Sequence, residues 1–461
     1  MMMLSEIATA LNASVIGKDV KVLSVGTDSR VIANEQLFVA IKGEHFDGNT
    51  YASEAIKLGA AAALVSDVKV AASPAVLVKD TRLALGELAH YWRQKFDLPV
   101  VAITGSNGKT TVKEMIAAIL NAAKGNVLAT KGNLNNDIGM PLTLLNLRAE
   151  HTYAVIEMGM NHLNEIRYLS NIACPQVAVI NNAGTAHIGE LGSREAIAQA
   201  KGEIFEGLAE DGIAVINADD AFCDYWHSLN QNRKVMTFGL DKKADVSASY
   251  QVFAAHTEIA LKTQEGVVTF NIGALGKHNV SNALAASAVA VALGVANRDI
   301  AQGLSQFNGV QGRLRLHAGY QQAIVIDDTY NANPDSMKAA IDVLVAQQSK
   351  TTQKLVFVMG DMAELGEEAA SMHVQIGQYA KQKAVSNLFS FGDFSQLASK
   401  EFGTGGQHFD SLEALVTALK TAMQADTCVL VKGSRSMKME RVVHAIVNTA
   451  MANSDNLEGV H

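Results

Sequence analysis

An α/β fold in three domains, built on mostly parallel sheets, is what this sequence predicts, and three observations carry that prediction. The chain has 461 residues, which corresponds to about three domains at roughly 150 residues each. From residue 100 onward, short apolar runs alternate with stretches of helical periodicity, the pattern of strands covered by helices. Apolar side chains make up 48% and charged ones 18%, a composition that fills sizeable cores and is far from disorder.

The first domain is placed at residues 1–97. Its opening, MMMLSEIATALNASVIG, lacks a basic leader and is interrupted by polar residues, so it reads as a short amphipathic helix rather than a signal peptide. TDSR (27–30), LFVAIKG (37–43) and DGNTYASEAIKLGAAAALV (47–65) follow in a less regular α/β pattern without a nucleotide fingerprint. HYWRQKFDL closes a helical pattern just before Pro99, one of only five prolines, and sets a boundary near residue 98.

The second domain, 98–312, has strand candidates VVAIT (100–104), VLAT (127–130), YAVIEMG (153–159), VAVINNA (177–183) and IAVIN (213–217). KTTVKEMIAAILNAAK and SREAIAQAKGEIFEGL are helical patterns between them. From about 240 to 272 β-like stretches predict an antiparallel extension, and GKHNVSNALAASAVAVALG predicts a buried, alanine-rich helix. The third domain, 313–461, carries strands AIVIDD (323–328), KLVFVMGD (354–361), NLFSFG (387–392) and TCVLVKG (427–433). SMKMERVVHAIVN is its last helix, and the polar tail after Met451 is expected to be loose.

Composition removes several function classes. A net charge of −8 argues against a nucleic-acid surface, which needs a dominant basic field. Cys174, Cys223 and Cys428 lack metal-ligand spacing and read as reduced thiols. No run approaches the ~18 apolar residues of a membrane span. The expected setting is cytoplasmic.

The strongest chemical signal is AITGSNGKTT (102–111). A buried strand ends at Thr104, a turn contains Gly105, Ser106, Asn107 and Gly108, and a helix opens at Lys109. Glycines let backbone N–H groups curl around phosphate oxygens, and a helix N-terminus adds its positive dipole end. Lys109 can reach the β- and γ-phosphates, Thr110 can place a hydroxyl on Mg²⁺, and Thr111 continues the motif. The usual pattern has a glycine four residues before the Gly-Lys pair; Ile103 stands there, so the loop is a shortened variant.

Ligands of open α/β sheets sit beyond the carboxyl ends of the strands. Glu157 closes one strand and His187 follows another, so with Thr110 they can surround Mg²⁺. Read from the residues alone, Glu157 is as readily structural, His187 a hydrogen-bonding histidine, and Lys201 a solvated helical lysine.

At this point the chain resembles the Mur ligases, the ATP-dependent enzymes that build the peptidoglycan stem peptide. The resemblance covers essentially the whole chain and rests on TGSNGKTT (104–111), GNLNNDIGMPLTLL (132–145), EMGMNH (157–162), NNAGTAHIG (181–189), AKGEIF (200–205), GKHNVSNALAA (276–286), GRL (312–314), IDDTYNANPDSM (326–337) and VKGSRSMKMERVV (431–443). It implies a central P-loop parallel-sheet ATPase domain and a C-terminal Rossmann-like domain. DDTYNANPDSM, the absence of an Asp-Asn-Pro-Arg motif, and the TDSR-type N-terminal domain resemble the member that adds D-alanyl-D-alanine to UDP-N-acetylmuramoyl-tripeptide. The close alternative is the preceding ligase, which adds the third amino acid; folylpolyglutamate synthetase is more distant, and a nucleotide-gated scaffold is a rival of another class.

The resemblance also assigns roles. Lys109, His187 and Lys201 would be catalytic. Thr110, Glu157, His187 and a carbamylated Lys201 would hold Mg²⁺. Asn136, Asn279 and Asn282 would bind the adenine or order its pocket, and Arg313 and Asp328 would contact phosphate and ribose. Ser29 and Arg30 would touch the UDP moiety. Tyr330, Asn331, Asn333, Lys432, Ser434 and Arg435 would lie near the acceptor. The expected reaction passes through an acyl phosphate, with a hinge near residue 312 closing the site against water in a monomer.

Overall fold

A computed structural model describes residues 1–70, 72–253, 256–349 and 352–447. The N-terminal part is a five-stranded sheet in the order Ser14–Ile16, Ala75–Leu77, Ala62–Val65, Gln36–Val39, Ser24–Gly26. Only the first pairing is antiparallel. The amphipathic N-terminal helix is present but short, Leu4–Ala10, with Leu4, Ile7 and Ala8 buried.

The middle of the chain is a six-stranded parallel sheet in the order Lys234–Phe238, Ile213–Asn217, Val177–Ile180, Val100–Thr104, Tyr153–Glu157, Val127–Ala129. Every residue of Val100–Thr104 is buried, because helices cover both faces, and that is why the strand reads as an unbroken apolar run. Val100 and Ala102 face one core, Val101 and Ile103 the other. The chain fills one side of Val100–Thr104 and then crosses to Val177–Ile180 on the other. The resulting crevice opens at the carboxyl end of this strand.

Behind the second face lies the expected antiparallel extension, Ser247–Val252, Thr257–Thr263 and Gly266–Ile272. The alanine-rich helix Lys277–Ala292 is buried over most of its length. Its small side chains let it lie close to the helix Lys109–Ala122, and Asn297–Ser305 packs there too. A Cβ on Gly303 would sit 2.4 Å from Ile119 Cα, so that helix crossing requires glycine. The helix that presents the phosphate loop is thus clamped by two neighbours and the sheet.

The third sheet has six strands in the order Arg315–Ala318, Ile324–Asp328, Thr427–Lys432, Lys354–Gly360, Asn387–Phe391, Gly406–His408, parallel except at the first pairing. Its two faces are separate cores.

Two helices differ from expectation. The pattern beginning at Ser436 is broken by Lys438 at φ +51, so the helix is only Glu440–Ile446, after a tight turn at Arg435–Met437. Asn448 and the tail after Met451 lie outside the described residues. The helix carrying Lys201 stops at Gly202 and tightens into a 3₁₀ turn, Glu203–Phe205, instead of running to Leu208. No helix among the described residues is long and apolar enough to cross a membrane.

The domains meet in two different ways. Residues of the N-terminal part (Leu4, Ile7, Leu85, Leu88, Trp92) share one continuous core with the central sheet (Ile156) and two helices that cover it (Leu144, Leu169). Trp92 Nε1 donates to Leu147 O at 3.1 Å, and the buried Arg93 donates to Ala173 O at 3.2 Å. The third domain meets the second through polar contacts at the crevice and a smaller apolar patch, where Leu275 and Ile188 join the third domain's core.

Candidate active site

The phosphate loop is held by a lattice of asparagines. Ser106 N donates to Asn182 O and Asn107 N to Asn182 Oδ1, at 3.0 and 2.9 Å. Asn181 Nδ2 donates to Asn107 O and to Asn282 Oδ1, at 2.9 and 2.8 Å. Asn282 in turn donates to Asn279 Oδ1 at 3.1 Å, and Asn279 to Leu275 O at 2.8 Å. Asn279 and Asn282 are both buried, so their side chains order the loop from beneath. Gly108 caps the helix at φ +81, and a Cβ there would lie 2.3 Å from Asn282 Oδ1, so any larger residue is strained and displaces the asparagine. Gly105 is nearly as confined, 3.0 Å from Asn181 Cβ.

Lys109 Nζ donates to Gly105 O at 2.7 Å. Burial, with Arg313 nearby, pushes its ammonium below the ordinary lysine value, against the pull of Glu157 and Glu364. Thr110 and Thr111 are buried at the first helical turn, and Thr110 Oγ1 receives Arg313 Nη2 at 3.1 Å. Ser106 Oγ is buried without a partner among the described residues. A loop that leaves a hydroxyl and a helix N-terminus unsatisfied is built to receive an anion.

Glu157 is 2% exposed at the end of its strand. Asn135 Nδ2 donates to its Oε1 at 2.8 Å, while Oε2 is buried with no partner among the described residues. An orphaned carboxylate oxygen in a polar cleft suits a hard cation. Lys201 is 1% exposed, and its amine has no hydrogen bond or ion pair among the described residues. Burial, with Lys109 nearby, drives its amine well below the usual lysine range. It is therefore not a solvated helical lysine. His187 sits at φ +64 with its Nδ1 2.9 Å from Glu364 Oε2 and 3.4 Å from Glu190 Oε2.

The third domain faces this loop across a cleft of about 590 Å³, within the size range of small-molecule sites. Arg313 lies 4.3 Å from the Tyr330 ring centroid and Arg435 6.0 Å from the same ring. Asp328 pairs with the buried Lys432 at 2.6 Å, and Lys432 also donates to Asn331 O at 2.8 Å. Asn333 caps the helix Pro334–Ala346 in a capping box with Ser336, and its Nδ2 reaches Asn107 Oδ1 at 2.8 Å. Asp335 accepts from Thr185 N and Oγ1 at 2.8 and 2.9 Å.

Some expected residues lie elsewhere. Asn136 does not line the cleft: its side chain accepts from Gly139 N at 2.8 Å and starts the helix Gly139–Leu144. Its neighbour Asn135 reaches the site instead. Ser434 is turned away, its N–H and hydroxyl both given to Asp361 O. Ser29 and Arg30 belong to an N-terminal turn outside the cleft, where the exposed Arg30 pairs with Asp28 at 2.7 Å and holds that carboxyl down at about 2. Asn135, Thr185, His278, Asp335 and Glu364 are cleft residues that sequence reasoning did not single out. Asn135, Thr185, His278 and Asp335 stand inside the family motifs, but Glu364 lies in a loop with no motif signal.

Family models match in chain order: the "Mur ligase family, catalytic domain" over residues 21–93, the "Mur ligase middle domain" over 103–290, and the "Mur ligase, glutamate ligase domain" over 312–435. A relative from Escherichia coli, named UDP-N-acetylmuramoyl-tripeptide–D-alanyl-D-alanine ligase, is 44% identical, covering 96% of this chain and 98% of its own. The chain belongs to the Mur ligase family. A Bacillus subtilis Mur ligase of the same name is 37% identical over 93% of this chain and 94% of its own. Among solved Mur ligases, a MurF from Acinetobacter baumannii superposes with a TM-score of 0.88 at 36% identity, covering 95% and 97% of the two chains. A Thermotoga maritima MurF in complex with ADP gives 0.82 at 29%, covering 92% and 96%. The three-domain α/β architecture expected from the sequence is that of these Mur ligases.

Proposed function

We propose that this Mur ligase joins D-alanyl-D-alanine to UDP-N-acetylmuramoyl-tripeptide, with ATP driving amide formation in peptidoglycan precursor synthesis. One observation carries the site reading: the phosphate loop of one domain and the cations Arg313, Lys432 and Arg435 of another converge on a single cleft. The 44% identity to a relative of that name supports the substrate pair.

In the proposed reaction, the tripeptide's terminal carboxylate attacks the γ-phosphorus of ATP. The bond to the bridging oxygen breaks, ADP leaves, and an acyl phosphate forms. The dipeptide amine then attacks the acyl carbonyl, loses a proton, and inorganic phosphate departs as the amide closes. Phosphoryl transfer asks chiefly for alignment and charge neutralisation. Loop N–H groups and Lys109 hold the phosphates. Arg313, already on Thr110, moves to the transferring phosphoryl group. Asn279 and Asn282 keep the loop in shape, and Asp328 is proposed to meet the ribose.

Mg²⁺ would add positive charge at the phosphates, and Thr110, Glu157 and His187 are the residues proposed to hold it. The buried, unpaired Oε2 of Glu157 supports this assignment. Lys201 is proposed to join them as a carbamate. That modification needs a neutral amine, and burial without a counter-charge provides one. Tyr330, Asn331, Asn333, Lys432 and Arg435 are proposed for the acceptor side. Ser29 and Arg30 are proposed for the UDP moiety once Arg30 exchanges Asp28 for diphosphate. Domain limits at 97/98 and 312/313 are proposed with this reading. Gly312 at φ +71 in a turn closed by Arg313 N donating to Val310 O supports the second. Action as a monomer is proposed with this reading.

The test crosses UDP-muramoyl peptides with single amino acids and D-alanyl-D-alanine, reading phosphate release and product mass. Release and the pentapeptide mass are expected only with the tripeptide and the dipeptide together. Phosphate release that ignores the dipeptide, or coupling of a free amino acid to the dipeptide-stage precursor, would overturn the assignment.

A further inference from the structure

Resting on that reading, we propose that Glu364 is the anionic half of the dipeptide subsite. It receives the ammonium end of D-alanyl-D-alanine, and its present contact with His187 is a placeholder.

Four observations carry this. First, Glu364 follows the strand Lys354–Gly360, at the carboxyl edge of the third sheet. Its side chain lines the cleft opposite the phosphate loop, close enough to feel the Lys109 charge. An amine that attacks an acyl phosphate held by that loop must arrive from this side.

Second, Glu364 is held in an unfavourable backbone conformation, φ +62, which an L side chain adopts at a cost. The loop around it is fixed from every direction. Glu364 O accepts from Gly189 N at 3.2 Å. Met362 N donates to Nε2 of the fully buried His373 at 2.9 Å, and the other ring nitrogen lies 2.6 Å from Ala369 O. Asp361 O accepts from Ser434 N, and the Asp361 carboxylate accepts from Ser395 N at 2.7 Å. A strained residue braced this heavily is a residue whose direction matters.

Third, the other third-domain carboxylates at the cleft are committed. Asp328 is bound to Lys432 and Asp335 to Thr185. Among the described residues the Glu364 carboxylate has only His187, at 2.9 Å, and His187 Nδ1 makes no well-aligned hydrogen bond there. The proposed function gives His187 to the metal. In the loaded site that leaves Glu364 a rigid carboxylate without a partner, where a cationic amine is due.

Fourth, a dipeptide is a zwitterion, and the same cleft offers the complementary charge. Arg435 is 63% exposed, lies over Tyr330, and among the described residues is paired only with Glu440, at 3.2 Å. An anion and a cation on one rigid domain select for a short peptide with both termini free. The role is ion pairing and aim; no proton transfer is assigned to Glu364.

The experiment compares the full-length enzyme with E364Q and E364D. It uses D-alanyl-D-alanine as substrate and propionyl-D-alanine, the same skeleton without the amine, as a competitive inhibitor. Hydroxylamine trapping of the acyl phosphate without dipeptide reads the first half-reaction. E364Q is expected to raise KM for the dipeptide about tenfold or more, with E364D intermediate. Propionyl-D-alanine should inhibit E364Q and the parent enzyme equally, and trapping should persist. The proposal falls if the dipeptide KM does not move, or if propionyl-D-alanine weakens in parallel. It also falls if trapping is lost with a raised Mg²⁺ requirement, which would place Glu364 with His187 and Glu190 around a cation. A parent enzyme without dipeptide-dependent phosphate release would sink the proposed function itself; an active parent with an unaffected E364Q sinks only this inference.

Discussion

Lys109 and Glu157 bring opposite charges into one cleft, and each is held by a neighbour that fixes its direction. Replacing Lys109 with alanine removes a cation from the proposed phosphoryl site, and kcat is expected to fall by about 10²–10³, measured by phosphate release. Asn135→Ala leaves both oxygens of the Glu157 carboxylate without a donor. The expected outcome is a raised Mg²⁺ requirement with an unchanged melting temperature in the absence of nucleotide; a Mg²⁺ titration checks it. Asn135 also shows where sequence reading stops. In NLNND two adjacent asparagines are equivalent on paper, and only the fold decides which caps a helix and which touches the carboxylate. His278, at the mouth of the alanine-rich helix, makes a separate prediction. Burial lowers its pKa from 6.5 to about 4, so below 6.5 the unfolded chain takes up a proton that the folded one refuses. Its stabilising neutral form is fully effective above that value and is lost as pH falls toward 4. His278→Gln should flatten the stability profile between pH 4 and 6.5, where the parent loses up to about 1.4 kcal/mol per pH unit, by urea denaturation.

The phosphate loop was legible because each of its parts has a local cause: a strand buried on both faces, a glycine at φ +81, and a helix whose first turn is Lys-Thr-Thr. Gly108→Ala is expected to cost about 1–3 kcal/mol through backbone strain and to displace Asn282, abolishing nucleotide binding; a nucleotide thermal-shift assay reads both effects. The strands of the central and third sheets were legible for the same reason of double burial. Element ends were not. The last helix breaks at Lys438, which carries no glycine or proline to mark a stop, and the Lys201 helix tightens after Gly202, a glycine inside an otherwise continuous helical pattern. The asparagine lattice was only half visible. Asn279 and Asn282 stood out as polar residues on an alanine-rich helix, but Asn181 joins them to the loop from more than ninety residues earlier in the chain. The Glu364 loop had no sequence signature at all, since its geometry comes from a buried histidine and a strand-end serine that meet only in the fold.

At the scale of the molecule, the two domain junctions differ in how much apolar surface they share, extensive at the first and confined to Leu275 and Ile188 at the second. Polar contacts such as Asn333 to Asn107 and Asp335 to Thr185 join the third domain to the second across the cleft, and polar contacts exchange readily with water and ligand. Rotation about the turn near residue 312 is therefore the expected motion, seen as a change in X-ray scattering when an ATP analogue and the tripeptide precursor are added together. Identical profiles with and without them would rule it out. The first junction is an unbroken apolar core running from Leu4 through Trp92 to Ile156, and oil-like contacts of that extent do not open and reclose during a catalytic cycle. Heating such a chain should melt residues 1 to about 310 as one block, so a calorimeter would record two endotherms from a protein that sequence comparison divides into three. Cutting the linker before Pro99 would then yield fragments that stay together rather than an independently folding N-terminal module.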